Sequence, residues 1–155
     1  MPTKIFIHGL ESSNQGTKAT YFREKFPDML LPNFPGSLED RMKKLEGLLL
    51  GEPEIILVGS SFGGLMAALF ALSHETRVKR MILLAPAINM HDFSSSTSLS
   101  APVVLYHGRQ DEVIPLAEVE PVAGNLFRNL NFHAVEDDHF LHRTFKAIDW
   151  PSLLT

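Results

Sequence analysis

The strongest chemical signal in the sequence is Gly59-Ser60-Ser61-Phe62-Gly63-Gly64, a G-x-S-x-G stretch between an apolar run ending at Val58 and a second apolar run that reads as a helix. A strand–turn–helix junction of this kind holds its central serine in a strained backbone conformation. The residues two before and two after must be small, or their side chains would strike neighbouring backbone. Gly59 and Gly63 meet that need, and Gly64 lets the helix pack closely. Only Ser61 fits the central position. The helix N-terminus beneath it offers free N–H groups and partial positive charge where an oxyanion could form. The same residues would equally serve as a plain Gly/Ser turn into a core helix. A second signal is His107-Gly108-Arg109-Gln110-Asp111-Glu112-Val113-Ile114-Pro115, just past a strand, where ligand sites of parallel sheets gather. Taken singly, Asp111 would cap a turn. The third is Asp137-Asp138-His139-Phe140 after the last strand, and a lone loop histidine is ordinarily just solvated. Together, Ser61, Asp111 and His139 follow the acyl-transfer order of serine, acid, histidine.

Composition removes several alternatives. The 155 residues contain no cysteine, which excludes a disulfide framework, a Cys-ligated metal site and a thiol nucleophile. Hydrophobic residues at 45% and charged residues at 21% form an ordinary globular balance, against disorder. A chain this long suits one domain with a self-sufficient core. The formal net charge of −4 argues against nucleic-acid binding and gives no pull toward anionic membranes. No run approaches the roughly 20 apolar residues of a membrane span. The N-terminal apolar patch is too short for a signal peptide, so a cytoplasmic location is the default expectation. Ser94–Ser100 reads as a surface loop.

Six short apolar runs alternate with amphipathic ones, predicting one doubly wound domain of about six parallel strands flanked by helices. The strands are Lys4–His8, Met29–Leu31 (weak), Glu54–Val58, Val78–Leu84, Pro102–Tyr106 and Leu130–Val135. Helices are predicted over Thr17–Phe26, from Ser37 (with Asp40, a capping-box pair) to Gly51, over the all-round apolar Leu65–Leu72, from near Pro121 to Phe127 after a turn, and over Phe140–Ile148.

Four motifs in order, His8-Gly9 after the first strand, the serine turn, G-x-x-D-x-x-x-P and the histidine loop, resemble those of α/β-hydrolase-fold proteins across essentially the whole chain. The opening HGLESS resembles small esterase-like members. The sequence departs from that pattern by lacking the first two strands and by reducing the usual cap to roughly residues 87–100, a short lid-like loop in which Phe93 would be an apolar contact. The resemblance implies a serine hydrolase acting on a small or short-chain carboxylic ester or thioester at an open, shallow site. A non-catalytic binding protein on the same fold, and an amide or carbon–carbon bond hydrolase, are the alternatives.

Carried over by motif, Ser61 would attack the acyl carbonyl, His139 would take and return the proton, and Asp111 would hold the imidazole. The N–H groups of Leu10 and Phe62 would form the oxyanion hole. No cofactor and no metal are implied, and the partner is a small-molecule ester. Asp92 is the reserve acid. His142, three residues past His139, would need a third ligand to bind a metal. His8 reads as shaping the oxyanion loop and His74 as a helix-terminal residue, while His91 and His133 carry no motif. Arg109 would meet an anionic substrate or simply be solvated.

Overall fold

The computed structural model describes all 155 residues. Five parallel strands, β1 (Thr3–Ile7), β2 (Ile55–Ser60), β3 (Val78–Leu84), β4 (Val103–Gly108) and β5 (Leu130–Val135), lie side by side in chain order. The expected sixth strand at Met29–Leu31 shrinks to one bridge, Leu30 beside Ile5 at the sheet edge. Pro32 follows at once and ends the pairing, because proline has no N–H to donate.

Alternate strand residues face opposite layers, which explains why Ile5–Ile7 of β1, Ile55–Val58 of β2, Met81–Leu84 of β3 and Val103–Leu105 of β4 read as unbroken apolar runs. β5, at the sheet edge, is half-exposed and carries Asn131 and His133. Ile5, Ile7, Ile55, Leu57, Met81 and Leu83 enter the larger core, beneath α2 (Leu38–Leu48), α3 (Phe62–His74) and α4 (Leu116–Leu126). Phe6, Ile56, Val58, Ile82 and Leu84 enter the smaller core, beneath α1 (Thr17–Lys25) and the short α5 (Trp150–Leu153). That second layer is largely aromatic, with Phe22 edge-on to Trp150 at a centroid distance of 4.9 Å. Helices thus cover both faces of the sheet. None is long and apolar enough to cross a membrane.

Two helical expectations need correction. α4 begins at Leu116 and carries Pro121 inside it, with no preceding turn. Burial of Val119, Ala123 and Leu126 outweighs the one backbone hydrogen bond that Pro121 forfeits. Phe140–Ile148 forms turns and a short 3₁₀ segment (Phe145–Ala147) in place of a helix. Leu141 sits at φ 54°, and the Asp137 carboxylate accepts from the Arg143 and Thr144 N–H groups and the Thr144 hydroxyl, fixing a non-helical path. The capping box at Ser37 and Asp40 forms as expected.

Candidate active site

The sharp turn after β2 sets Ser61 at φ 55°, ψ −117°, a conformation a non-glycine residue adopts only when its surroundings hold it there. Both ends of the residue are tied. Its N–H donates to the Leu84 carbonyl at 2.9 Å, and its carbonyl accepts from Ala87 and Gly64, each at 2.9 Å. The glycines around it have no room for a side chain. A Cβ on Gly63 would overlap the Ile7 carbonyl, one on Gly59 would overlap the Gly63 carbonyl, and one on Gly64 would lie 2.6 Å from Pro86 Cβ. The serine turn is therefore wedged between β1 and the segment after β3.

Asp111 and His139 meet although 28 residues separate them: His139 Nδ1 donates to Asp111 Oδ2 at 2.8 Å. The carboxylate is fully buried, and Oδ1 accepts from the Val113 and Ile114 N–H groups at 2.9 and 2.7 Å. A second histidine backs it: His107 Nε2 donates to the Ile114 carbonyl at 2.8 Å and lies 3.3 Å from Asp111 Oδ2. The strand pattern around His107 gave only the position of Asp111, and the backing role becomes visible in three dimensions. Gly108 lets the histidine loop approach, since a Cβ there would overlap the Asp137 carbonyl. Lys18, which the sequence did not single out, spans from α1 to the same loop and donates to the Phe140 carbonyl at 2.9 Å. Burial pushes its ammonium pKa below the ordinary lysine value, and Asp138 and Asp137 partly oppose that.

Ser61 and His139 line one cavity of about 770 Å³ at the C-terminal edge of the sheet, together with Gly9, Leu10 and Phe62. No hydrogen bond joins the Ser61 hydroxyl to His139 in this conformation; the two share the cavity wall. The β1 loop passes directly over the serine, because a Cβ on Gly9 would lie 3.9 Å from Ser61 Oγ. His8 shapes that loop. Its Nε2 accepts from the Phe34 N–H at 2.8 Å, so Nδ1 carries the proton and donates to the Gly9 carbonyl at 2.7 Å. A trans peptide sets C=O and N–H on opposite sides, so fixing the Gly9 oxygen also fixes the direction of the Leu10 N–H. Burial holds the His8 pKa below the usual histidine value, and the positive charge of Arg41 adds to this. His8 is therefore a neutral structural group. The Leu10 N–H donates to no protein acceptor, and Phe62 opens α3, where an N–H has no acceptor within the helix.

The remaining candidates fall outside this arrangement. Asp92 is exposed and does not meet His139. His142 pairs with Asp138 at 2.6 Å, His74 with Glu46 at 2.7 Å, and Arg109 with Glu136 at 3.1 Å in a half-exposed ion pair. His133 stacks on Tyr106, and His91 lies against Phe93. Phe93 itself packs on the larger core, and from the 87–100 segment the cavity takes Ala87, Asn89 and Met90.

A sequence model for the alpha/beta hydrolase fold matches residues 33–101. No curated protein sequence matches the chain. Among solved structures, mouse alpha/beta hydrolase domain-containing protein 10 superposes with a TM-score of 0.79 at 20% identity, covering 100% of this chain and 91% of that one. An alpha-beta serine hydrolase homologue from Coxiella burnetii gives 0.76 at 22% identity, covering 94% and 80%. Est1E from Butyrivibrio proteoclasticus with bound ferulic acid gives 0.74 at 15% identity, covering 95% and 84%. With the parallel sheet, the strained serine turn and these superpositions in agreement, the chain has the α/β-hydrolase fold.

Proposed function

We propose that the protein is a serine hydrolase that cleaves a carboxylic ester or thioester through an acyl-enzyme on Ser61. The observation that carries this reading is the shared cavity: a strained serine and a histidine tied to a buried carboxylate open onto one space. In the proposed cycle His139 Nε2 accepts the Ser61 proton as Oγ bonds to the acyl carbon. Asp111 stabilises the imidazolium that results. The tetrahedral oxyanion lies against the Leu10 and Phe62 N–H groups, each worth roughly 3 kcal/mol of barrier in comparable sites. His139 then protonates the leaving alcohol or thiol, and a water deprotonated by His139 releases the acid. The relative that binds ferulic acid supports a small-molecule substrate.

The whole chain acts as one domain in this reading, and the part of segment 87–100 that reaches the cavity, Ala87, Asn89 and Met90, acts as its short lid. Shortening that loop without change in kinetics would remove the lid from the proposal. The direct test is labelling with a fluorophosphonate probe followed by peptide mapping. An adduct on Ser61 is expected, and an unlabelled Ser61 under conditions that label a control esterase would end the reading. A non-catalytic ligand-binding role is favoured by one observation, the absence of a Ser61–His139 hydrogen bond. Ester turnover compared between the wild type and Ser61→Ala separates the two, since equal rates would establish binding alone.

A further inference from the structure

Nine large hydrophobic side chains are exposed on this protein, and four of them, Leu10, Met90, Val113 and Phe140, stand on the one cavity that holds Ser61. They come from four separate segments, following β1, β3, β4 and β5 respectively. Each is at least half exposed: 51% for Leu10, 64% for Met90 and Val113, and 57% for Phe140. Scattered apolar residues on a surface need no explanation, whereas a collar assembled from four loops around one opening does. The cavity itself, at about 770 Å³, falls within the size of sites that enclose small ligands, and is far larger than an acetyl group needs. The cavity lining also includes the apolar side chains Phe62 and Ile114, with charged side chains such as Glu11, Lys18 and Lys146 elsewhere in the lining.

We infer that the site takes an acyl group with an extended apolar chain of about six or more carbons, whose outer methylenes lie against the Leu10–Met90–Val113–Phe140 collar. This rests on the serine-hydrolase reading for the position of the carbonyl, and it replaces the short-chain expectation drawn from the reduced cap. A small cap leaves the cavity open, but four loops supply the apolar wall a cap would otherwise give. Moving one methylene from water to such a wall is worth up to about fourfold in affinity. Half-exposed wall residues return part of that, so about two- to threefold per carbon is expected.

The test uses linear alkanoates from acetate to decanoate, titrated by calorimetry into the full-length Ser61→Ala protein, which needs no nucleophile to bind a product. Affinity is expected to rise about two- to threefold per carbon from butanoate to octanoate. In the Ser61→Ala background, adding Met90→Ser and Val113→Ser is expected to flatten that rise. Adding Leu48→Ser and Leu50→Ser instead, which alters exposed apolar residues away from the cavity, leaves the rise in place. Unfolding temperatures of all variants establish that each is folded. Affinity that does not grow with chain length, or grows equally after the collar is changed, would overturn the inference. So would a concentration-dependent dimer lost with the collar substitutions, which would assign these residues to self-association. Fluorophosphonate labelling of wild-type Ser61 is scored separately, so failure of the hydrolase reading and failure of the chain-length inference are distinguishable.

Discussion

Replacing Asp111 by asparagine changes one atom's hydrogen-bonding character, and the surroundings decide which one. Oδ1 accepts two backbone N–H groups, from Val113 and Ile114, at 2.9 and 2.7 Å. An asparagine must keep its carbonyl oxygen there, because turning its NH₂ toward two donors would leave buried N–H groups unpaired at about 1–3 kcal/mol each. Its NH₂ is thereby forced to the Oδ2 position, facing His139 Nδ1 at 2.8 Å in the parent structure. The imidazole then accepts through Nδ1 and carries its proton on Nε2. That tautomer cannot take a proton from Ser61. A wrong tautomer combined with loss of the stabilising charge costs about ten-thousandfold in kcat, or about 5.4 kcal/mol of barrier. The new NH₂ also confronts the His107 Nε2–H, which lay 3.3 Å from Oδ2 and is committed to the Ile114 carbonyl. Stability should therefore fall too, by about 1–3 kcal/mol.

Two measurements check this chain of reasoning independently. Turnover of p-nitrophenyl esters gives kcat for Asp111→Asn beside Asp92→Asn, whose exposed side chain lies outside the site and which should leave kcat unchanged. Long-range proton–nitrogen NMR of the imidazoles reports whether His139 carries its proton on Nδ1 in the wild type and on Nε2 in the variant. Asp111→Asn retaining more than about a tenth of wild-type kcat, or an unchanged tautomer, would refute the assigned role of this carboxylate.

Other expectations follow from single contacts. His8→Phe removes the hold on the Gly9 carbonyl and leaves the Phe34 N–H buried without a partner, so kcat should drop about ten- to hundredfold and stability by about 2–4 kcal/mol. Because burial keeps His8 neutral in the folded state below the ordinary histidine pKa of 6.5, the unfolded chain binds its proton first as pH falls. Wild-type stability therefore includes a loss on acidification below about 6.5, of at most about 1.4 kcal/mol per pH unit, that denaturant titrations of His8→Phe should lack. Lys18→Met frees the Phe140 carbonyl and should lower kcat about fivefold, matching about 1 kcal/mol of a partly solvated hydrogen bond; unchanged steady-state rates would remove Lys18 from the support of the histidine loop. Gly63→Ala should abolish soluble folded protein, seen by circular dichroism, since its Cβ would overlap backbone of β1. Gly124→Ala, in α4 with nothing near the added atom, should raise Tm by about 2–4 °C.

What could be read in the sequence were features whose cause is local. The apolar runs Ile55–Val58 of β2 and Met81–Leu84 of β3 become strands because each of those positions is buried, and the glycines flanking Ser61 are required by contacts within the turn, with β1 and with Pro86 after β3. The Ser37–Asp40 pair caps α2 through bonds only three residues apart. Expectation and structure differ where side-chain hydrogen bonds and tertiary burial, not periodicity, decide the backbone. Periodicity at Phe140–Ile148 suggested a helix, but the Asp137 carboxylate outcompetes it for the Arg143 and Thr144 N–H groups. Pro121 suggested a helix beginning there after a turn, but apolar burial by its neighbours lets the helix begin at Leu116. Lys18 and His107 were passed over for the same reason: their partners are a carbonyl 122 residues away and a carboxylate whose orientation depends on a folded loop.

This division also explains how a loop as short as Val135 to Phe145 can hold a histidine in place. Two adjacent carboxylates share the work. Asp137 is buried and spends its oxygens on the loop itself, accepting from Asp138, Arg143 and Thr144. Asp138 is turned outward and fixes the far side through Phe140 and His142. Between them His139 has no neighbouring carboxylate to bond, so its Nδ1 is left for Asp111 across the gap that Gly108 keeps open. A residue other than glycine at 108 would push the Asp137 carbonyl away and carry the imidazole with it. The G in G-x-x-D thus serves the histidine as much as the acid, and the motif's spacing encodes a contact between two loops that the sequence shows only as separate signals.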